Sequence, residues 1–175
     1  MSESELSRTL RVDTLGATPR VVRIDATPEE RAALARRFAI VAVERLEADV
    51  SVESTGQEPV ATGRVTAEVV QSCSITGDPV PGRVEESFVV HFRAEAPSPA
   101  GEEEIELGDD ELDVIFYEGG MIDVGEAVAQ TLALALDPYP RAEGAEEALK
   151  EAGVKDEAEA GPFGALAALK DKLGK

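Results

Sequence analysis

From Arg45 to Glu53 apolar and polar residues alternate, with Leu46, Ala48, Val50 and Val52 on one side and Glu47, Asp49, Ser51 and Glu53 on the other. A period of two predicts a strand with one wet face, the habit of an antiparallel sheet. Val60 to Ser72 and Arg83 to Arg93 continue in the same style. Upstream, Leu6 to Val12 and Arg20 to Ile24 have strand composition around the turn signal Gly16-Ala17-Thr18-Pro19, so they are expected to pair with each other. Leu112 to Tyr117 predicts one more short strand, with Glu118-Gly119-Gly120 as the turn after it.

Two helices are marked by their starts. Thr27-Pro28-Glu29-Glu30 puts a hydroxyl at the N-cap, Pro at the first helical position and Glu at N3, so a short helix should run over 28–38. The Thr oxygen accepts from an orphan backbone N–H, and the carboxylates face the positive end of the helix dipole. Asp123 is the N-cap of a second helix over 123–136, with Glu126 three residues on. Val128, Leu132, Ala135 and Leu136 share its core-facing side. Asp137-Pro138-Tyr139-Pro140 must end it, because proline breaks the ladder and pushes the preceding residue out of helical geometry. Residues 142–152 suit a short polar helix.

Elsewhere the periodicity stops. Residues 94–111, with Pro97, Pro99, Gly101 and two carboxylate runs, read as a flexible acidic loop, and 153–161 as a solvated linker. The segment 162–173 opens with Pro162 and can place Phe163, Leu166, Leu169 and Leu173 on one side, with Lys170 and Lys172 at the negative dipole end. That is an amphipathic helix, which either covers a patch of its own domain or enters a partner's groove. The expected architecture is an α+β domain over residues 5–152. It has a mainly antiparallel sheet that can close into a barrel-like form, two or three packed helices, and the C-terminal amphipathic helix.

Charge changes this picture more than composition does. The chain has 175 residues, 43% of them hydrophobic, enough for one modest core. It carries 36 acidic and 17 basic side chains, a formal net charge of −19. Residues 1–50 hold eight basic and nine acidic side chains, so nearly all the excess falls after residue 50. Such a field attracts basic partners and repels nucleic acid, most strongly at low salt; it also serves plain solubility. A lone cysteine excludes an internal disulfide framework, and no apolar run approaches the ~20 residues of a membrane span. The acidic opening Met1-Ser2-Glu3-Ser4-Glu5 leads into no signal-type segment, so a cytoplasmic location is expected.

Chemistry finds little footing. His91, the single histidine, lies within Phe88-Val89-Val90-His91-Phe92, where alternation places it with Val89 and opposite Val90, a structural or surface position. Any metal site would rest on carboxylates, and the acidic loop lacks the ligand spacing and central Gly of an EF-hand. Cys73 has no positive charge among its neighbours Gln71, Ser72, Ser74 and Ile75, and reads as a buried thiol at a strand end. Asp123 and Glu126 are a formal acid-base pair, yet capping accounts for both. Phosphate-binding Gly-rich loops, zinc-ligand spacings and RNA-binding aromatic signatures are absent, with aromatics at 4% of the chain. No catalysis, metal or cofactor is expected.

Four stretches carry a resemblance. They are Gln71-Ser72-Cys73-Ser74-Ile75-Thr76-Gly77-Asp78-Pro79-Val80, Ile122-Asp123-Val124-Gly125-Glu126, Leu132 to Pro140, and Pro162 to Leu169. In order and spacing they resemble the YceD family of bacterial large ribosomal RNA subunit accumulation proteins, over most of the chain beyond about residue 40. Many relatives carry a second cysteine three positions after the first, where this chain has Thr76, so a Cys-x-x-Cys metal or redox role does not carry over to Cys73.

The resemblance implies a role in 23S rRNA accumulation. The acidic excess adds an expected partner, a basic ribosomal protein or large-subunit assembly factor, with indirect association to 23S rRNA and no membrane. Family-motif candidates for the partner surface are Cys73, Asp78, Pro79, Ile122, Asp123, Gly125, Glu126, Pro138, Pro140, Phe163, Leu166 and Leu169. For Gly125 and Asp78-Pro79 the competing explanation is a tight turn and close packing. The alternative function is direct rRNA binding through the Arg-rich first fifty residues, with Arg31, Arg36 and Arg37 as a basic stripe on the first helix.

Overall fold

The structure, a computed structural model, describes residues 4–54, 58–95 and 113–154. Most of the acidic loop and linker, and the whole segment 162–173 with Phe163, Leu166 and Leu169, lie outside the described residues. The chain divides into two compact units, one of Met1–Gln71 and Pro81–Pro138, the other of Ser72–Val80 and Tyr139–Lys175.

The first unit is built on a sheet of order β2-β3-β4-β5-β6, made of β2 (Arg20–Asp25), β3 (Ala42–Ser54), β4 (Pro59–Ser72), β5 (Pro79–Ala94) and β6 (Val114–Tyr117). The alternation that predicted β3 has its consequence in burial: Leu46, Ala48, Val50 and Val52 are buried. A bulge between Val43 and Arg45 shifts the phase by one residue, which lets Val43 face the core as well. On β4, Ala61, Val65, Ala67 and Val69 cover the same core, antiparallel to β3. Gly63 keeps β4 bare where the Phe88 ring of β5 lies across it, since a Cβ there would meet the ring at 2.8 Å.

Helix α1 (Pro28–Arg37) packs against β3 and buries Leu34 and Ala35. Its capping box is complete: Glu30 N–H donates to the Thr27 hydroxyl (3.2 Å) and Thr27 N–H to the Glu30 carboxylate (2.9 Å). Helix α2 (Val124–Ala135) follows β7 (Met121–Asp123) and buries Val124, Gly125, Ala127, Val128, Ala129 and Leu132. It ends before the Asp137-Pro138 step, with Leu136 already extended. In the second unit, α3 (Ala145–Glu151) is the short polar helix expected there, entered through Gly144 at φ 82°.

Two expectations are corrected. The first two strands do not pair with each other: β1 (Thr9–Arg11) pairs antiparallel with β7, whereas β2 pairs with β3. The sheet does not close into a barrel either; among the described residues β2 and β6 are its two edges, and β6 joins β5 in parallel. Residues before β1 are committed to the entrance of α2, which takes β1 away from the edge it would need to extend.

Candidate functional site

The motif Ile122-Asp123-Val124-Gly125-Glu126 forms the best-defined polar site of the first unit. Asp123 caps α2 through Gly125 N–H (2.9 Å) and Glu126 N–H (3.3 Å). It also accepts from Arg8 N–H (2.8 Å) and the Ser7 hydroxyl (2.7 Å), so one carboxylate serves two chain segments. Val124 N–H donates to the Arg8 carbonyl (3.1 Å), and Leu6 is fully buried beside the helix start. Gly125 makes this approach possible: a Cβ there would stand 2.0 Å from the Leu6 carbonyl oxygen.

Glu126 completes the clasp. It holds the Arg37 guanidinium in two bonds (2.8 and 2.6 Å) and accepts from Ser4 (2.9 Å) and Gln130 (3.1 Å). The Arg37 bonds outweigh burial and pull the Glu126 carboxyl down to about 2, while Arg37 is raised above its ordinary value. Arg37 also reaches Glu5 (3.0 Å), and Arg8 grips Glu30 of the α1 capping box in two bonds (2.7 and 3.1 Å). Ile122 is fully buried, and the polar motif residues join the segment Ser4–Arg8 to the start of α2 and, through Arg37, to the end of α1.

In the second unit, Cys73 follows directly on the end of β4 and is buried, as the sequence implies. Its thiol nevertheless lies well below the ordinary range, at about 6. The largest cause is Ala142 N–H, 3.3 Å from Sγ, followed by the Thr76 hydroxyl and the N–H groups of Thr76 (3.4 Å) and Ile75 (3.5 Å). Sequence reasoning looked for a nearby cation, and the effect comes instead from amide dipoles, one of them 69 positions away. Cys73 N–H donates to the Asp78 carbonyl (2.7 Å) and Ser74 N–H to the Pro140 carbonyl (2.8 Å), so Cys73, Asp78 and Pro140 share one site. Asp78 and Pro79 are exposed there and Pro140 is buried; in the first unit, Pro138 is exposed.

The alternative basic stripe divides. Arg37 is committed to Glu126 and Glu5, whereas Arg31 and Arg36 line one shallow groove of about 330 Å³ beside Ile40 and Glu44. His91 is half-buried, opposite the buried pair Val90 and Phe92. Among the described residues, no group of three or more His, Cys, Asp or Glu is placed to hold a metal ion, and no helix is long and apolar enough to cross a membrane.

A family model described as "Large ribosomal RNA subunit accumulation protein YceD" matches residues 61–170. The chain belongs to the YceD family. Curated proteins and solved structures offer no match to it. Membership ties the chain to large-subunit rRNA accumulation, and the matched span contains all four stretches that carry the resemblance. The first residues of the clasp, Ser4 to Arg8, and its Arg37 fall before that span, so a YceD motif inside the match is completed by side chains outside it.

Proposed function

We propose that this YceD-family chain supports 23S rRNA accumulation without catalysis, in the cytoplasm, by holding a basic ribosomal protein or large-subunit assembly factor against its acidic surface. The observation that carries this reading is the disposition of charge. The net charge is −19, and many of the guanidinium groups are already spent on carboxylates: Arg8 on Glu30, Arg23 on Asp49, Arg37 on Glu126, Arg45 on Glu47, Arg64 on Glu85 and Arg93 on Glu58. Positive charge is thus cancelled locally, and the carboxylates left over set the long-range field that a basic partner meets. Glu126 stays ionised and bound to Arg37, which favours scaffolding over acid-base chemistry at that position.

The family-motif residues divide between building the fold and presenting a surface. Ile122, Asp123, Gly125 and Glu126 shape the partner surface from beneath, while Asp78, Pro79 and Pro138 are exposed enough to touch a partner. Pull-downs with purified basic ribosomal proteins test the reading. Retention at about 0.05 M salt and release at about 0.5 M is expected for an electrostatic complex. Recovery of no basic ribosomal protein at either salt would sink it.

A second reading, direct rRNA binding, draws on the pairing of Arg31 and Arg36 at one groove. A filter-binding titration of rRNA fragments against R31A/R36A separates the two ideas. Binding that is insensitive to the double replacement dismisses the RNA reading.

A further inference from the structure

We infer that the edge of β5 at Ser87–Val90, which no described strand covers, receives with the groove beside it an extended basic segment of a partner protein as an added strand. This rests on the reading above that the partner is basic, and it adds the place and the mode of binding. β5 is 16 residues long, but β6 is in register with only its last part, from His91↔Val114 to Ala94↔Tyr117. His91 N–H points to this side, donating to the Asp113 carbonyl (2.8 Å). Along a strand the N–H and C=O of every second residue face the same edge. The backbone groups of Val89 and Ser87 therefore face the side where His91 is bonded, beyond the point at which β6 begins. Both residues are exposed, and among the described residues the pairing on this side starts at His91. Strand groups that no described residue pairs are a template for a further strand.

What lies beside the edge decides which strand. A groove of about 560 Å³ runs between β5, the start of β6 and the outer side of α2. Phe88, Val90 and Ile115 supply apolar surface, and Leu134 of α2, 85% exposed, stands at its margin. Among the described residues lining the groove, the ionisable groups are Glu86 and Asp113, with no Lys or Arg. Glu86 and Asp113 lie on the same strand face as Phe88, Val90 and Ile115, so among the inward side chains of an incoming strand apolar ones would fill the middle of the groove and cationic ones at its ends would meet the two carboxylates. A nucleic acid would meet only repulsion there.

The test uses the isotope-labelled full chain and a short synthetic peptide whose inward positions are Val flanked by Lys at both ends, with Thr at the outward positions. In the free protein, the Ser87 and Val89 amides should exchange quickly. Slow exchange would show that the chain covers this edge itself, and would overturn the inference. At about 0.15 M salt, the peptide should protect both amides and bind about tenfold more weakly to L134D and to E86K. A peptide N-methylated at alternate residues keeps its charge but cannot pair along an edge, and should not bind.

Undiminished binding by the N-methylated peptide, or by both variants, would overturn the added strand while leaving the acidic-surface reading standing. No binding of any cationic peptide would overturn both. Protection that grows with protein concentration alone would assign the edge to a second copy of this chain, against the inference.

Discussion

A Cβ at position 125 would lie 2.0 Å from the Leu6 carbonyl oxygen, 2.8 Å from its carbonyl carbon and 2.9 Å from the Arg8 amide nitrogen. All three are backbone atoms, so no side chain can swing aside; in G125A the segment Ser4–Arg8 has to lift away. Lifting it exposes Leu6, worth about 1.5–3 kcal/mol of burial. It also breaks the bonds from Ser7 and the Arg8 amide to Asp123, at about 1 kcal/mol each. The expected loss is therefore about 3–5 kcal/mol, a large part of the roughly 5–15 kcal/mol that holds a typical domain. Urea unfolding followed by circular dichroism reads the loss, and limited proteolysis should show early cleavage before β1.

The reasoning is tested most sharply by removing residues 1–8 in both backgrounds. Without Leu6 and Arg8 the methyl has nothing to strike, and in the first turn of α2 alanine is favoured over glycine by up to about 1 kcal/mol. G125A should then become neutral or stabilising, a reversal of sign that a double-mutant cycle measures directly. An equal penalty in the truncated chain would refute the clasp as its cause.

Three further outcomes follow from the same geometry. Glu126 is held at about 2 in the fold, against an ordinary 4.5, so its contribution is complete above about pH 5 and is lost as pH falls towards 2. E126Q should flatten that acid limb by about 1–2 kcal/mol after allowance for solvent screening, and urea midpoints taken from pH 2 to 6 that superimpose on wild type would contradict it. The Cys73 thiol, lowered from 9.0 to about 6, should give a thiolate absorbance titration centred near pH 6. Because the folded value is the lower one, wild-type stability relative to C73A should rise between those two pH values, and a titration centred near 9 would dispose of the amide cradle. G63A would bring a methyl within 2.8 Å of the Phe88 ring and 2.9 Å of the Asp49 carbonyl, costing about 1–3 kcal/mol. Part of that loss should return in G63A/F88L, and thermal unfolding showing no recovery would place the strain at Asp49 alone.

What could be read from the sequence depended on how far apart the determinants lie. The α1 start was legible because Thr27, Pro28 and Glu30 sit within four positions and satisfy one another. β3 was legible because its one-sided burial is written in alternation, apart from the bulge that shifts Val43 into phase. The partner of β1 was not legible. Nearness in sequence favoured β2, but β1 lies against β7 through contacts more than a hundred residues apart, which local composition does not encode. Asp123 was half legible for the same reason: its bonds to 125 and 126 are local, and those to Ser7 and Arg8 are not. The acidity of Cys73 escaped because amide dipoles leave no mark on residue type.

The clasp also bears on how family motifs should be interpreted. Ile122, Asp123, Gly125 and Glu126 form one stretch inside the span that the family model matches, and such a stretch is commonly taken for a contact surface. Here each has an internal reason for its identity: Ile122 is core, Asp123 caps α2 and grips the segment just before the first strand, Gly125 admits the Leu6 backbone, and Glu126 is bound to Arg37. Replacing any of them would weaken function through the fold, without a partner touching the residue. Loss of activity in such variants is therefore poor evidence for an interface unless stability is measured alongside it. Exposed positions with no such internal duty, Leu134 foremost, are where a change in binding at constant stability can be read as contact.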